Sequence, residues 1–233
     1  MPRRGRLEPA LPTQDVLSER VYAEVLDRLL SGSLPPDRRI GESAVAMELG
    51  CSRTPLREAL LMLERDGMTI RIPERGFFAA PVRESEVREV YPVLAALEQA
   101  ALNSAKDFLY LSVPRLKESN KGLSQARNVR TAVRFDTQFH QTLLEHCQNR
   151  FLKALIEKIR LSVRRYELLF MKDMRLLARS VMQHAQVIER IQADDLAGAT
   201  KALLTNWGSG MESLLKELRE LDPGRGTALK ARC

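Results

Sequence analysis

At 233 residues, 44% hydrophobic and 29% charged, the chain has the apolar material for one large or two ordinary packed domains and lacks the composition of a disordered one. The formal net charge of +7 invites a polyanionic partner, yet residues 1–83 hold 13 Arg against 12 Asp and Glu while the larger surplus lies beyond residue 84, so bulk charge does not locate a nucleic-acid surface. No apolar run reaches the length of a membrane span, no apolar segment follows the N-terminal arginines, and Cys51, Cys147 and Cys233 show no CxxC spacing; this disfavours a membrane protein, a secretory leader, and a disulfide or cysteine-zinc scaffold, and suits a reducing cytoplasm.

Residues 1–14 are rich in Pro and Arg and unpatterned, and are expected to form a disordered tail. From Leu17 to Leu30 the apolar residues Val21, Tyr22, Val25, Leu26 and Leu29 mark one face of a helix, with Ser18 as candidate N-cap and Gly32 just past the end. SLPPDRR reads as a turn, Ser43–Leu49 as a short helix stopped by Gly50, and Ser52 as the cap of a third helix running to about Asp66. Pro55 falls in the first turn of that helix, where a missing N–H costs nothing. MTIRI and FFAAPV, joined by PERG, predict a small hairpin. After Pro81 the pattern turns helical for good. Segments are expected over Glu84–Lys106, Pro114–Arg127, Val129–Cys147, Arg150–Met171, Arg175–Ala193 and Leu196–Glu220, with Pro92 kinking or dividing the first of them. Aromatics at 5% and few β-branched runs support the same reading. The fold class is therefore mainly α: an N-terminal winged helix-turn-helix (15–82), a C-terminal antiparallel all-α bundle (84–221) and a flexible tail (222–233).

The third helix carries the DNA argument. Ser52, Arg53 and Thr54 lie at its N-terminus, where free N–H groups and the positive dipole end favour phosphate. Arg53 and Arg57, at i and i+4, share a face and can reach guanine edges or backbone. Leu56, Leu60 and Leu63 form the inward stripe. Arg75 and Gly76 sit at the tip of the wing. All basic residues before position 84 are Arg, the first Lys being Lys106, and Arg grips phosphate and guanine bidentately as Lys cannot.

The stretch LPPDRRIGESAVAMELGCSRTPLREALLMLERDGMTIRIPERGFFAAPV resembles the DNA-binding domain of GntR-type bacterial transcription regulators, over roughly residues 17–82. The resemblance implies operator contacts from Arg53, Thr54 and Arg57, with Ser52 and Gly76 at backbone level. Ser43 stands where relatives often have Arg.

In the bundle, Asp136 and His140 lie at i and i+4 on one helix, a spacing that suits one half of a divalent metal site or equally a hydrogen-bonded pair. His184, on another helix, could close such a site. FDTQFHQTLLEHCQNRFLKAL and YPVLAALEQAAL look like the FCD effector domain that follows the GntR domain in the FadR subfamily, over about 85–215, and the six predicted helices lean to its VanR-like branch. Many members hold a divalent metal, often zinc, on one Asp and three His. Asp136, His140 and His184 match three of these, while Asn206 stands at the fourth, a weaker and neutral donor. His146 matches no family role. Relatives that bind carboxylates carry Arg where this chain has Leu94, four residues before Glu98, so an anionic effector would need the metal or another base: Arg134, Arg160, Arg164 or Arg165, each expected at the surface. Glu98 itself is read as supporting an interdomain face.

The expected function is a cytoplasmic, ligand-responsive, sequence-specific transcription regulator, a repressor, acting as a homodimer on double-stranded operator DNA. A small-molecule effector would bind in the helical domain at a divalent metal. The runner-up is a metal-independent acyl-CoA- or lipid-responsive regulator of the same family. A metalloenzyme is the distant alternative, disfavoured because no further carboxylate stands at a telling spacing to act as general base.

Overall fold

The computed structural model describes residues 14–170 and 174–221; of the expected tail over 1–14 only Gln14 is described, and it opens a helix, while the rest of that tail and the one over 222–233, with Cys233, lie outside the described residues. The described chain divides between Pro81 and Val82 into two compact units.

In the first unit α1 (Gln14–Leu30) packs against α3 (Arg53–Arg65), with α2 (Glu42–Glu48) between them in sequence. The core is built from the predicted stripes: Val21, Val25 and Leu29 from α1, and Leu56, Leu60 and Leu63 from α3, all buried. Ser18 is no cap. It lies inside α1, is 4% exposed, and its hydroxyl donates to Glu58 on α3. Tyr22 closes the same seam by donating to Asp66 at 2.6 Å. Gly50 carries the chain between α2 and α3 at φ +61°, a left-handed conformation that a side chain disfavours. The hairpin is shorter than its sequence pattern: β1 (Thr69–Ile72) pairs antiparallel with β2 (Gly76–Ala79), Ile70 opposite Phe78 and Ile72 opposite Gly76. The outer edge of β2 is covered by the segment before α2, through Ile40 N–H to Phe77 O at 2.8 Å and Ala79 N–H to Arg38 O at 2.9 Å.

The second unit is a helical bundle of α4 (Glu84–Ser104), α5 (Leu109–Ser124), α6 (Val129–Leu143), α7 (Arg150–Phe170), α8 (Met174–Gln192) and α9 (Leu196–Leu221). Two prolines behave differently from expectation. Pro92 neither ends nor divides α4, and Pro114 lies inside α5 instead of opening it, because that helix begins at Leu109 after a short 3-10 turn over Lys106–Phe108. Both prolines are on exposed faces, where water can satisfy the carbonyl that each ring deprives of its donor. Helix α6 stops at Leu143, short of Cys147. Val87, Leu94 and Leu102 of α4, Leu116 of α5, Phe139 of α6, Val163 and Tyr166 of α7, Val187 of α8 and Leu203 and Leu214 of α9 form one continuous core. Among the described residues no helix is long and apolar enough to cross a membrane.

Candidate functional site

Two constellations stand out, one in each unit. In the first, Ser52 is the N-cap of α3 in an extended conformation, and its side chain makes no capping hydrogen bond. Ser52, Arg53, Thr54 and Arg57 are exposed while Pro55 and Leu56 are buried, so the helix presents its basic N-terminal face and hides the apolar one. Arg57 is held by Glu42 of α2, Nε to Oε2 at 3.1 Å. Arg75 at the wing tip is exposed and its guanidinium lies 5.5 Å over the Phe78 ring. Gly76 has φ +88°, and a Cβ there would meet the side chains of Glu42 at 3.5 Å and Arg39 at 3.9 Å. Glu42 thus pairs with the recognition helix while lying beside the wing glycine. Arg39, exposed beside Gly76 and bridged to Phe78, adds a guanidinium to this face that sequence reasoning missed.

The second constellation lies inside the helical unit. Asp136 and His140 from α6 and His184 from α8 come together, all buried, with one donor atom from each within 4.8 Å of the others. His184 Nε2 is 3.6 Å from Asp136 Oδ1, and His140 Nε2 is 4.0 Å from Asp136 Oδ2. Tetrahedral bonds of about 2.1 Å to one ion put donors roughly 3.4 Å apart, so small side-chain movements bring these atoms to coordinating distance.

The surroundings prepare the imidazoles for that role. His140 Nδ1 lies 2.8 Å from Glu98 Oε2, which accepts its N–H and leaves Nε2 facing Asp136. His184 stacks on Phe139 with ring centroids 3.7 Å apart and planes 2° from parallel. Burial, then the charges of His140 and Arg160, holds its pKa well below the ordinary imidazole value. It is a neutral, fully buried ring, and neither of its nitrogens has a hydrogen-bond partner. An orphaned neutral imidazole beside a carboxylate is what a divalent cation would satisfy, so the residues present fit a metal.

Glu98, read from the sequence as supporting an interdomain face, lies at the root of the site, inside the helical unit. It is fully buried and accepts from His140, from Arg160 Nε at 3.1 Å and from Trp207 Nε1 at 2.9 Å. Burial alone would push its carboxyl up. The charges of His140 and Arg160 and the hydrogen bonds from His140 and Trp207 outweigh that and bring it down to about 2. Arg160 and Arg165, expected at the surface, are 5% and 8% exposed. The cause for Arg160 is the Glu98 carboxylate; Arg165 is buried against the Tyr166 hydroxyl and paired with Glu86.

Asn206, also buried, turns its amide N–H to Gln183 Oε1 at 3.2 Å. Leu94 is fully buried in the core. Arg134 is exposed, lies over Phe135, and lines no part of the cavity between α6 and α7, whereas Arg164 does. His146 sits outside the cluster beside Glu145 at 3.1 Å.

Inside the helical unit, Glu167 also escaped the sequence. Glu167 of α7 is 4% exposed, and both of its carboxylate oxygens lack a hydrogen-bond partner. Burial, with a further push from Asp136 against the pull of Arg160 and Arg164, raises its pKa to about 7. No spacing in the sequence links this carboxyl to Asp136 or His140; only the packing of α7 brings it under their influence. A carboxyl whose pKa is higher folded than unfolded stabilises the fold in its protonated form. That contribution is complete below the ordinary value of 4.5 and is lost as the pH rises through about 7. In metal-free protein, Glu167→Gln should remove the fall in unfolding free energy between pH 5 and 7 that this group causes, measured by denaturant titration at several pH values. The same slope in variant and wild type would assign it to another group.

The comparisons with known proteins match one family model to each unit. Residues 17–79 match the family of bacterial regulatory proteins named gntR, and residues 89–207 match the FCD domain. The regulator YdhC of Bacillus subtilis (strain 168) is 24% identical over 85% of this chain and 91% of its own length. The transcriptional repressor RspR of Escherichia coli (strain K12) is 21% identical over 90% and 92% respectively. The solved structure of E. coli McbR/YncC superimposes with a TM-score of 0.75 at 21% identity, covering 87% of this chain and 98% of that one. A winged helix-turn-helix followed by a helical bundle with these matches defines the chain as a member of the GntR family, a DNA-binding transcription regulator with an FCD effector domain and not an enzyme.

Proposed function

We propose that this regulator is a cytoplasmic, homodimeric repressor whose helical domain (84–221) holds a divalent metal and a small metabolite, and whose winged domain (15–82) reads a palindromic operator. The observation that carries the metal is the buried triad of Asp136, His140 and His184, in which His184 has two unpartnered nitrogens and His140 is aimed by Glu98. Three protein donors leave a coordination position for the amide oxygen of Asn206 or for an effector oxygen, and zinc accepts such a set. When bound, the metal would act as a Lewis acid that fixes an effector donor atom. The repressor sign rests on likeness to proteins so described, among them RspR and the gluconate operon repressor of Bacillus licheniformis. The dimer follows from operator symmetry, since each half-site of a palindrome takes one exposed recognition helix. The effector would shift the population between dimers that fit the operator and dimers that do not. The six helices described after residue 83 favour the VanR-like branch.

Metal content of purified protein tests the reading. One divalent ion per chain is expected. His184→Ala should weaken metal affinity by about 100-fold, as loss of one of few ligands does, and leave DNA affinity within a few-fold. Wild-type protein that retains no metal and instead binds acyl-CoA would favour the metal-independent reading.

A further inference from the structure

Glu42 opens α2, and both of its carboxylate oxygens are placed. Oε2 takes Arg57 Nε of the recognition helix at 3.1 Å, and Oε1 lies 3.5 Å from where a Cβ on the wing residue Gly76 would stand. The side chain of Glu42 is 16% exposed and that of Arg57 63%, so the anion is sunk at the root of the pair and the cation stands out from it. With Nε engaged, the end of the guanidinium left to act is the one that bears Nη1 and Nη2. Arg53 on α3 and Arg39 beside Gly76 are exposed as well, and no carboxylate pairs with either among the described residues. On this face the charge of Arg57 is answered, while those of Arg53 and Arg39 are not.

We infer that Glu42 is a positioning residue that sets sequence specificity: it holds the Arg57 guanidinium by Nε so that Nη1 and Nη2 take O6 and N7 of a guanine in the major groove. A phosphate draws a guanidinium mainly by charge. The Glu42–Arg57 pair is neutral as a unit, and its carboxylate repels a phosphate from the same spot. A guanine edge draws a guanidinium by geometry, through two parallel hydrogen bonds to uncharged acceptors. A guanidinium already fixed at Nε offers that geometry with less rotamer freedom left to lose. Glu42 is itself poorly placed to accept from a cytosine amino group, because Oε2 is occupied and Oε1 lies against the wing turn. Arg39, with its charge unanswered, suits the phosphate backbone instead. The inference rests on α3 entering a groove, and it is independent of the metal, the effector and the sign of regulation.

The test titrates full-length protein onto the duplex that the wild type selects from a random pool, onto single base-pair variants of one half-site, and onto a random-sequence duplex, each at several salt concentrations. Arg57→Ala should lose about five- to 150-fold of discrimination at one G·C pair of the half-site and leave the salt dependence of random-sequence binding unchanged. Glu42→Gln should lose several-fold of discrimination at the same pair. It should nevertheless bind random-sequence DNA more tightly and with a steeper salt dependence, by about one phosphate contact per subunit, because the freed Arg57 charge then acts on the backbone. A merely structural role for Glu42 would weaken both kinds of binding together, and a gain in random-sequence binding cannot come from unfolding. In the Arg57→Ala background, Glu42→Gln should cost no further discrimination. Parallel loss of both kinds of binding in Glu42→Gln overturns the inference, as does unchanged discrimination in that variant. A loss in Arg57→Ala spread over all sequences with a shallower salt dependence overturns it too, making Arg57 a phosphate clamp. Arg53→Ala separates the inference from its footing. If that variant binds the selected duplex as the wild type does, the placing of α3 in the groove falls; if it fails to bind while Glu42→Gln discriminates fully, the positioning role alone falls.

Discussion

Arg53→Ala should abolish operator binding. In the proposed dimer each half-site loses one guanidinium from the N-terminus of a recognition helix, and a bidentate base contact is worth about 1–3 kcal/mol. Two such losses amount to roughly 2–6 kcal/mol, a weakening between about thirtyfold and twenty-thousandfold. The fold should be indifferent, because Arg53 is exposed and makes no contact that builds the core, which rests on Leu56, Leu60 and Leu63. Arg57→Ala should cost less, because part of its positive charge is already answered by Glu42 at 3.1 Å. The measurement is a titration at fixed salt of a duplex selected by the wild-type protein from a random pool, with circular dichroism and light scattering as controls for helix content and oligomeric state. Wild-type affinity in Arg53→Ala, at equal salt, would mean that another face of the module enters the groove.

How far these sites were legible from residues alone depended on how local their determinants are. The recognition helix is written in neighbouring positions: Gly50 at positive φ, Ser52 at the cap, Pro55 in the first turn and leucines every three or four residues. Asp136 and His140 are likewise one turn apart on one helix. Their supports are not local. Glu98 comes from α4, Arg160 and Glu167 from α7, and Trp207 from α9, so nothing in the spacing links them; only packing brings a carboxylate within 2.8 Å of the His140 ring. The same limitation misplaced Arg160 and Arg165, because a charged residue looks exposed until its partner is known. The prolines misled for the opposite reason. Pro92 and Pro114 carry a strong local signal against helix interiors, and burial of the apolar stripe on the other side of α4 and α5 overrides it.

Glu98→Ala should be the most damaging single change in the helical domain. Glu98 is completely buried and accepts three hydrogen bonds, from His140, Arg160 and Trp207. Deleting it leaves the Arg160 guanidinium, 5% exposed, without its anion, along with an indole N–H and an imidazole N–H that have lost their acceptor. Breaking a buried ion pair from one side costs about 3–5 kcal/mol, because the surviving charge keeps its desolvation penalty. Glu98→Gln keeps the volume and one acceptor oxygen, so it should unfold less readily than the alanine variant. It should still lower metal affinity by about 10–100-fold, since an amide orients the His140 tautomer less strongly than a carboxylate. Denaturant unfolding of metal-free protein reads the first effect and competition with a chelator the second. A loss under about 1 kcal/mol for Glu98→Ala would show that Arg160 finds a substitute anion. The substitute at hand is Glu167, whose oxygens have no other partner, and adding Glu167→Gln to Glu98→Ala should then restore the full destabilisation.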